Sequence, residues 1–170
     1  MEGSEFKQRF LRYSGQIFRY AFAVTGDRQE AEDIVQDVFE KLWKMREMLT
    51  VVENDEAYVV SVARNRSLDR LRMIARRRTT TLTPAMEPGE VGDELSRLEA
   101  KDHLHSLERL LDTLPVNQQT AIRLRHFAGE PLPEIATAMQ LTEVNVRQLL
   151  SRARRTLKDK MKEYEYGERV

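Results

Sequence analysis

The chain has 170 residues, a mass of 19.9 kDa, no cysteine and a formal net charge of zero, with 28 basic and 28 acidic side chains. A hydrophobic fraction of 41% is enough to build cores, so wholesale disorder is excluded, and the length allows one ordinary domain or two small ones. The lack of cysteine excludes disulfides, thiolate metal sites and cysteine nucleophiles, and no apolar run approaches the roughly 18 residues of a membrane span.

The first residues are acidic and polar, whereas a secretory signal would be basic and then apolar, so we expect a cytoplasmic protein without membrane insertion. A first helix is predicted over residues 5–24, ended by the sequence Thr-Gly-Asp at 25–27. A second is predicted over about residues 28–48. Its apolar residues follow the spacing of an amphipathic helix: Ala31, Ile34, Val35, Val38, Phe39, Leu42 and Trp43.

A third helix is predicted to start at Asn54 or Asp55, either of which could cap it, and to run to about residue 77. Its predicted inner stripe consists of Val60, Ala63, Ser67, Leu71 and Ile74. The following segment, 79–92, reads TTTLTPAMEPGEVG, which is rich in Thr, Pro and Gly and has no helical periodicity. This composition predicts a flexible linker.

The second half begins with a helix marked by leucines from 104 to 114, and Pro115 stands where the next helix could begin. A short helix over 132–139, a tight connection at Gln140 and a longer helix capped by Thr142 then form the layout of a helix-turn-helix. The predicted fold class is therefore all-α: two small helical domains over 1–78 and 104–170, joined by a flexible linker over 79–103, the C-terminal domain being the helix-turn-helix.

The neutral total charge is a sum of blocks with alternating sign. Residues 27–40 carry a net −5, 64–78 carry +6, 79–103 carry −4 and 147–162 carry +6, and the rest of the chain carries −3. Dense blocks of this kind mark interaction surfaces. The two basic blocks fall on the predicted third helix and on the last helix, so both are candidates for contact with nucleic acid.

In a helix-turn-helix the second helix enters the major groove, where Arg suits guanine and Asn or Gln suits adenine. The sequence places a polar and basic face on that helix, and the candidate DNA-binding residues are Thr142, Asn145, Arg147, Gln148, Ser151, Arg152 and Arg155. An αα-hairpin with a solvated basic face would show the same pattern.

Several motifs of the chain resemble those of extracytoplasmic-function (ECF) sigma factors, a group of RNA polymerase sigma factors. Residues 31–43 read AEDIVQDVFEKLW and residues 57–72 read AYVVSVARNRSLDRLR. The Leu-Pro pair at 114–115, Glu-Ile-Ala at 134–136 and Ser-Arg-Ala-Arg at 151–154 match further landmarks of the family in order and spacing.

The resemblance implies a dissociable promoter-specificity subunit of bacterial RNA polymerase. Residues 1–78 would be the sigma region 2 domain, which binds core polymerase and the minus-ten element, and 104–170 the region 4 domain, which binds the minus-thirty-five element. The implied core-binding residues are Asp33, Gln36, Asp37 and Glu40. The implied minus-ten residues are Asn65, Arg66, Asp69, Arg70, Arg72 and Arg76, with the preceding loop of about 48–55 helping to hold a flipped base.

The implied partners are core RNA polymerase, promoter DNA and an anti-sigma factor, and no cofactor is implied. The sequence Val-Asn-Val at 144–146 departs from the Gly-Thr-Val common in the family, so the base preference of the minus-thirty-five helix does not transfer.

Other classes of function fit the sequence less well. We expect no enzyme, no catalytic residue and no metal site, because no Gly-rich phosphate loop or nucleophile motif occurs and the acids of the second helix have no matching second cluster. A stand-alone helix-turn-helix regulator, which would bind duplex DNA without polymerase, is the main alternative. An adaptor without a DNA role is disfavoured by the two basic blocks.

Overall fold

The computed structural model describes residues 1–80 and 99–168, and every regular element in these ranges is helical. The first half comprises α1 (Gly3–Phe10), α2 (Ser14–Thr25), α3 (Arg28–Lys44) and α4 (Asp55–Thr80), with 3₁₀ turns at Leu11–Tyr13 and Met48–Val51. The second half comprises α5 (Glu99–Asp112), α6 (Val116–Ile122), α7 (Leu132–Met139) and α8 (Glu143–Glu168), with a π-helical turn at Arg123–Phe127. The predicted all-α class with two helical domains is confirmed.

The predicted linker over 79–103 is described only at its ends. Helix α4 continues to Thr80 and α5 begins at Glu99, so both ends are helical, and residues 81–98 lie outside the described residues. Among the described residues no helix is both long and apolar enough to cross a membrane.

Local chemistry sets the ends of the helices in the first half. Gly26 ends α2 with φ +66°, a conformation that favours glycine, and its N–H donates to the carbonyl of Phe22 at 2.8 Å. Asp27 then caps α3 by accepting a hydrogen bond from the N–H of Glu30 at 3.0 Å. Asn54 caps α4 through the N–H of Ala57 at 2.9 Å, so the cap is Asn54 rather than Asp55.

The core of the first half is built from the inner faces of α1 to α4. Helix α3 buries most of the predicted stripe: Ala31, Ile34, Val38 and Leu42 are fully enclosed and Val35 and Phe39 are half-buried, but Trp43 at its end is exposed. The inner stripe predicted for α4 is only partly correct: Ala63 and Ser67 are buried, but Val60, Leu71 and Ile74 are half-buried. Among the side chains of α4 that the structure describes, the buried apolar ones are Val59, Val62, Ala63 and Leu68.

The core of the second half extends across to the first. Its buried residues include Leu111, Leu124, Ile135, Val146 and Leu150, and the same cluster contains two residues of the first half, Val24 of α2 and Leu68 of α4. Tyr20 and Leu71 pack against this cluster from the same side. The two domains therefore share apolar packing along one face of α2 and α4, and the buried position of Leu68 follows from that contact.

Candidate functional site

The helix-turn-helix in the second half is formed by α7, a three-residue connection and α8. Gln140 takes a left-handed conformation with φ +56°, which ends α7, and the N–H of Leu141 donates to the carbonyl of Ala136 at 3.0 Å. Thr142 Oγ1 accepts a hydrogen bond from the N–H of Asn145 at 3.2 Å and so caps α8 as predicted. The first turn of α8 after this connection is open to solvent, since residues 142–145 are all exposed.

One face of α8 is buried and the opposite face is exposed. Val146, Leu150 and Ala153 form the buried side. All seven residues predicted to bind DNA are exposed: Thr142, Asn145, Arg147, Gln148, Ser151, Arg152 and Arg155. An exposed surface of Asn, Gln and Arg side chains can donate to base edges and to phosphates.

Sequence reasoning missed Val144, which lies within this exposed face. Its side chain is 57% exposed in the first turn of α8. Apolar side chains at such positions can contact the C5-methyl group of thymine. Its neighbour Arg147 is held at 3.5 Å from Glu143, so that arginine is oriented within its own helix.

A second candidate surface is the outer face of α3. Gln36 and Glu40 are exposed, while Asp33 and Asp37 keep side-chain exposures of 43% and 46%. These four residues lie opposite the buried stripe, so the predicted acidic face forms one continuous patch. A hydrogen bond from the Lys44 ammonium and the charge of Lys44 lower the pKa of Glu40, with a smaller contribution from the charge of Arg66.

Arg70 of α4 reaches onto this acidic patch. Its Nε lies 3.2 Å from Glu30 Oε2, and its Nη2 lies 3.9 Å from Asp33 Oδ2 and 3.8 Å from Asp37 Oδ2. Arg70 is one of the six residues predicted to bind the minus-ten strand. It thus lies beside Asp33 and Asp37, which are predicted to bind polymerase. The structure brings the two predicted sites of the first domain into direct electrostatic contact.

The remaining candidate residues of α4 divide between two sides of the helix. Asn65, Asp69, Arg72 and Arg76 recur at helical spacing along one side, where Arg72 Nη1 lies 3.2 Å from Asp69 Oδ1. Arg66 is displaced toward α3, half-buried, with its Nε lacking a hydrogen-bond partner among the described residues. In the loop before α4, Met48 and Val51 are highly exposed while Leu49 anchors the turn in the core.

Models of two protein families match the chain, and they match its two halves in order. The model described as Sigma-70 region 2 matches residues 10–78, and the model described as Sigma-70, region 4 matches residues 104–157. The first match covers α2, α3 and most of α4, including the acidic patch. The second covers α6, α7 and the part of α8 that carries the exposed basic face.

Two curated proteins of Mycobacterium tuberculosis are similar to the chain. The ECF RNA polymerase sigma factor SigJ is 33% identical over 163 residues, which are 92% of this chain and 50% of SigJ. The ECF RNA polymerase sigma factor SigL is 27% identical over 164 residues, which are 92% of this chain and 89% of SigL. The chain therefore spans about half the length of SigJ.

Among solved structures, the sigma factor RpoE from Bartonella quintana, in complex with the anti-sigma factor NepR, has a similar fold. The TM-score is 0.50 at 23% sequence identity, and the match covers 93% of this chain and 97% of the solved chain. This likeness supports the arrangement of the helices.

Proposed function

The chain belongs to the ECF group of the sigma-70 family, and from this we propose that it binds core RNA polymerase and directs it to a restricted set of promoters. The observation that carries the proposal is the order of the two sigma-70 regions on two helical domains, the second of which exposes a polar recognition helix. Such a factor initiates transcription without being an enzyme itself.

We assign residues 1–78 to region 2, 79–103 to the linker and 104–170 to region 4. In region 2, the outer face of α3 (Asp33, Gln36, Asp37 and Glu40) is suited to a basic surface of polymerase because its carboxylates are exposed and backed by a rigid helix. Docking there is a matter of charge complementarity, so it should weaken as salt increases.

The minus-ten element would bind along α4. Asn65 and Asp69 can form polar contacts with a base, and Arg72 and Arg76 can contact phosphate. Arg66 and Arg70 lie closer to α3, so for these two residues contact with DNA requires their side chains to leave their present positions. The exposed Met48 and Val51 would supply apolar contact for an unstacked base, which costs a few kcal/mol to extrude.

The minus-thirty-five element would bind the exposed face of α8 in its major groove. Asn145, Arg147 and Gln148 stand nearest the capped end, which is the part of a recognition helix that reaches base edges. Arg152 and Arg155 lie farther along the helix, where phosphate contacts are expected.

We also propose that an anti-sigma factor binds this chain. The solved complex of the similar RpoE with NepR supports a partner of that kind. The apolar residues that region 2 exposes beside its charged patches, among them Trp43 and Met48, would suit such a partner.

The deciding experiment is transcription in vitro from fragmented genomic DNA by purified core polymerase, with and without this chain. We expect new transcripts with defined start sites that require both components. A stand-alone helix-turn-helix regulator would instead protect specific duplex sites without core polymerase. If core plus this chain starts no specific transcript while the chain alone footprints a site, the proposal is wrong and the alternative is right.

A further inference from the structure

The interface between the two domains is centred on one buried carboxylate. Glu130, which is 5% exposed, follows the turn at Gly129 and precedes α7. From α4 of the other domain, Arg64 donates through Nε to Glu130 Oε1 and through Nη2 to Glu130 Oε2, each at 2.8 Å. The hydroxyl of Tyr20 on α2 donates to the same Oε1, and Arg64 Nη2 also lies 3.0 Å from Glu134 Oε2.

This geometry makes a strong and specific contact. A bidentate arginine–carboxylate pair fixes the orientation of both groups as well as adding energy. Hydrogen bonding by Arg64 is the main cause of the lowered pKa of Glu130, and burial is the main cause of the raised pKa of Tyr20. Both partners of Glu130 come from region 2, although Glu130 belongs to region 4.

Apolar packing surrounds the ion pair. Val24 and Leu68 of region 2 are buried in the same cluster as Leu124 and Ile135 of region 4. Beside this cluster a cleft of about 390 Å³ is lined by Arg72 and Arg76 from α4 and by residues of α6 and α7. Two of the candidate minus-ten residues therefore line this cleft beside region 4, although Arg76 is exposed and Arg72 is half-buried.

The packed arrangement conflicts with simultaneous binding of both promoter elements. The names of the minus-ten and minus-thirty-five elements place them about 25 base pairs apart, or about 85 Å at 3.4 Å per pair. A domain of roughly 75 residues is about 30 Å across, so two domains in contact place their centres only about 30 Å apart. The exposed face of α8 remains open, but Arg64 and Glu130 cannot stay in contact while both elements are bound.

We propose that the Arg64–Glu130–Tyr20 cluster is a latch, an interaction surface through which region 2 holds region 4 in the free protein, and that it must open for promoter binding. The latch regulates the proposed sigma factor activity and in that respect rests on it. This face of α2 and α4 binds the acidic turn that precedes α7 in the same chain. Because only a fraction of free molecules is then open, the latch reduces the apparent affinity for polymerase and promoter by that fraction.

The test is a distance measurement on the free chain. The sequence contains no cysteine, so spin labels or fluorophores can be attached at single cysteines replacing Glu53 of region 2 and Lys158 of region 4, which are both exposed. We expect one short distance in the parent chain. Arg64→Glu should give a broad distribution whose mean is longer by about one domain diameter, roughly 30 Å.

Two further variants separate the latch from a general loss of structure. Combining Arg64→Glu with Glu130→Arg re-forms the pair with exchanged charges and should restore the short distance. Arg28→Glu makes the same charge change in region 2 but breaks only the exposed pair between Arg28 and Glu32, so it should leave the distance unchanged. Circular dichroism should show the same helix content in all variants.

The latch is refuted if Arg64→Glu keeps the short distance, or if Arg28→Glu lengthens the distance as much as Arg64→Glu does. Addition of core polymerase together with promoter DNA should lengthen the distance in the parent chain, and a promoter complex that retains the short distance would also refute the latch. The measurement on the free chain involves neither polymerase nor DNA. Failure of the latch is therefore distinguishable from failure of the proposed sigma factor activity, which the transcription assay tests separately.

Discussion

The guanidinium of Arg123 lies against Gly26, so closely that a Cβ on Gly26 would stand 2.2 Å from Arg123 Cζ. Gly26 belongs to the turn between α2 and α3, and Arg123 to the π-helical turn of region 4. The contact joins the two domains at a point separate from the Arg64–Glu130 pair. It requires a residue without a side chain at position 26 both for its positive φ and for the space that Arg123 occupies.

We predict that Gly26→Ala destabilises the protein more than the same change at Gly129. Gly129 has nearly the same backbone conformation, φ +70°, but no atom of the described residues lies within 4 Å of a Cβ built there. Gly129→Ala should therefore lower the free energy of unfolding by about 1 kcal/mol through backbone strain alone. Gly26→Ala should lower the free energy of unfolding by about 1 kcal/mol more than that, because the buried Arg123 must also move. Urea denaturation measures both losses, and equal losses would contradict the contact.

We predict that Arg123→Met leaves the free energy of unfolding unchanged or raises it by about 1 kcal/mol. Arg123 is 4% exposed, its Nε has no hydrogen-bond partner among the described residues, and burial is the main cause of its lowered pKa. A methionine of similar length keeps the packing and removes the buried charge.

The matched variant is Arg64→Met, which leaves Glu130 buried without its bidentate partner. This variant should lower the free energy of unfolding by about 2 kcal/mol. Breaking a fully enclosed pair would cost more, but Arg64 is 31% exposed. Thermal or urea unfolding followed by circular dichroism compares the two. Opposite signs are expected, and a clear loss for Arg123→Met would mean that the Phe127 ring, 5.7 Å from Arg123 Cζ, and the charges of Glu108 and Asp112 outweigh the cost of burying the guanidinium.

We predict that Asp37→Arg weakens binding to core polymerase by about tenfold or more, because it reverses a charge at the centre of the acidic patch. Affinity is measured with fluorescently labelled protein and purified core. Glu53→Arg, an exposed acid of region 2 outside α3, makes the same charge change and should bind normally. If both variants bind equally well, the outer face of α3 is not the docking surface.

We predict that Arg152→Ala weakens binding of the polymerase complex to promoter DNA and reduces the slope of log K against log salt by about one, as expected for one lost phosphate contact. Lys160→Ala is the control on the same helix, because Lys160 Nζ donates to Thr113 Oγ1 at 2.6 Å within region 4. An unchanged slope for Arg152→Ala would remove this residue from the phosphate-contacting set.

We predict that His126 titrates below its usual 6.5, because burial and the nearby charges of Arg154 and Arg125 lower its pKa. The unfolded chain then binds the proton more readily than the folded chain. The stability contribution is therefore complete above about pH 6.5 and is lost as the pH falls toward the folded value. NMR titration of the imidazole gives the pKa, and His126→Gln should flatten stability against pH in this window. A pKa above 6.5 would contradict the environment described.

Much of the fold was predictable because local signals agree with one another. In α3 the apolar positions fall on one face and Asp27 caps the helix, so propensity, pattern and capping indicate the same element. In region 4 the left-handed turn at Gly129 precedes the helix-turn-helix, and the cap at Thr142 begins its second helix. Exposure of the α8 face followed directly from its amphipathic pattern.

The interface between the domains was not predictable by the same means. Arg64 is one of seven arginines between residues 64 and 78, and charge alone assigned the whole block to nucleic acid. Which arginine finds a buried carboxylate depends on a contact between residues 66 apart in sequence. Helix α4 also packs on both sides, so its apolar residues do not form the single stripe on which the prediction relied.

The contacts of Arg70 with the acidic patch affect what else can bind there. A basic group of polymerase that binds Asp33 and Asp37 must compete with the guanidinium that already lies 3.9 and 3.8 Å from them. Each binding event that displaces Arg70 from these acids makes it more available to a phosphate, and by linkage a phosphate that captures Arg70 leaves the acids more available to polymerase. If the proposed assignments hold, a single arginine shared between two surfaces makes polymerase and promoter mutually cooperative ligands of region 2.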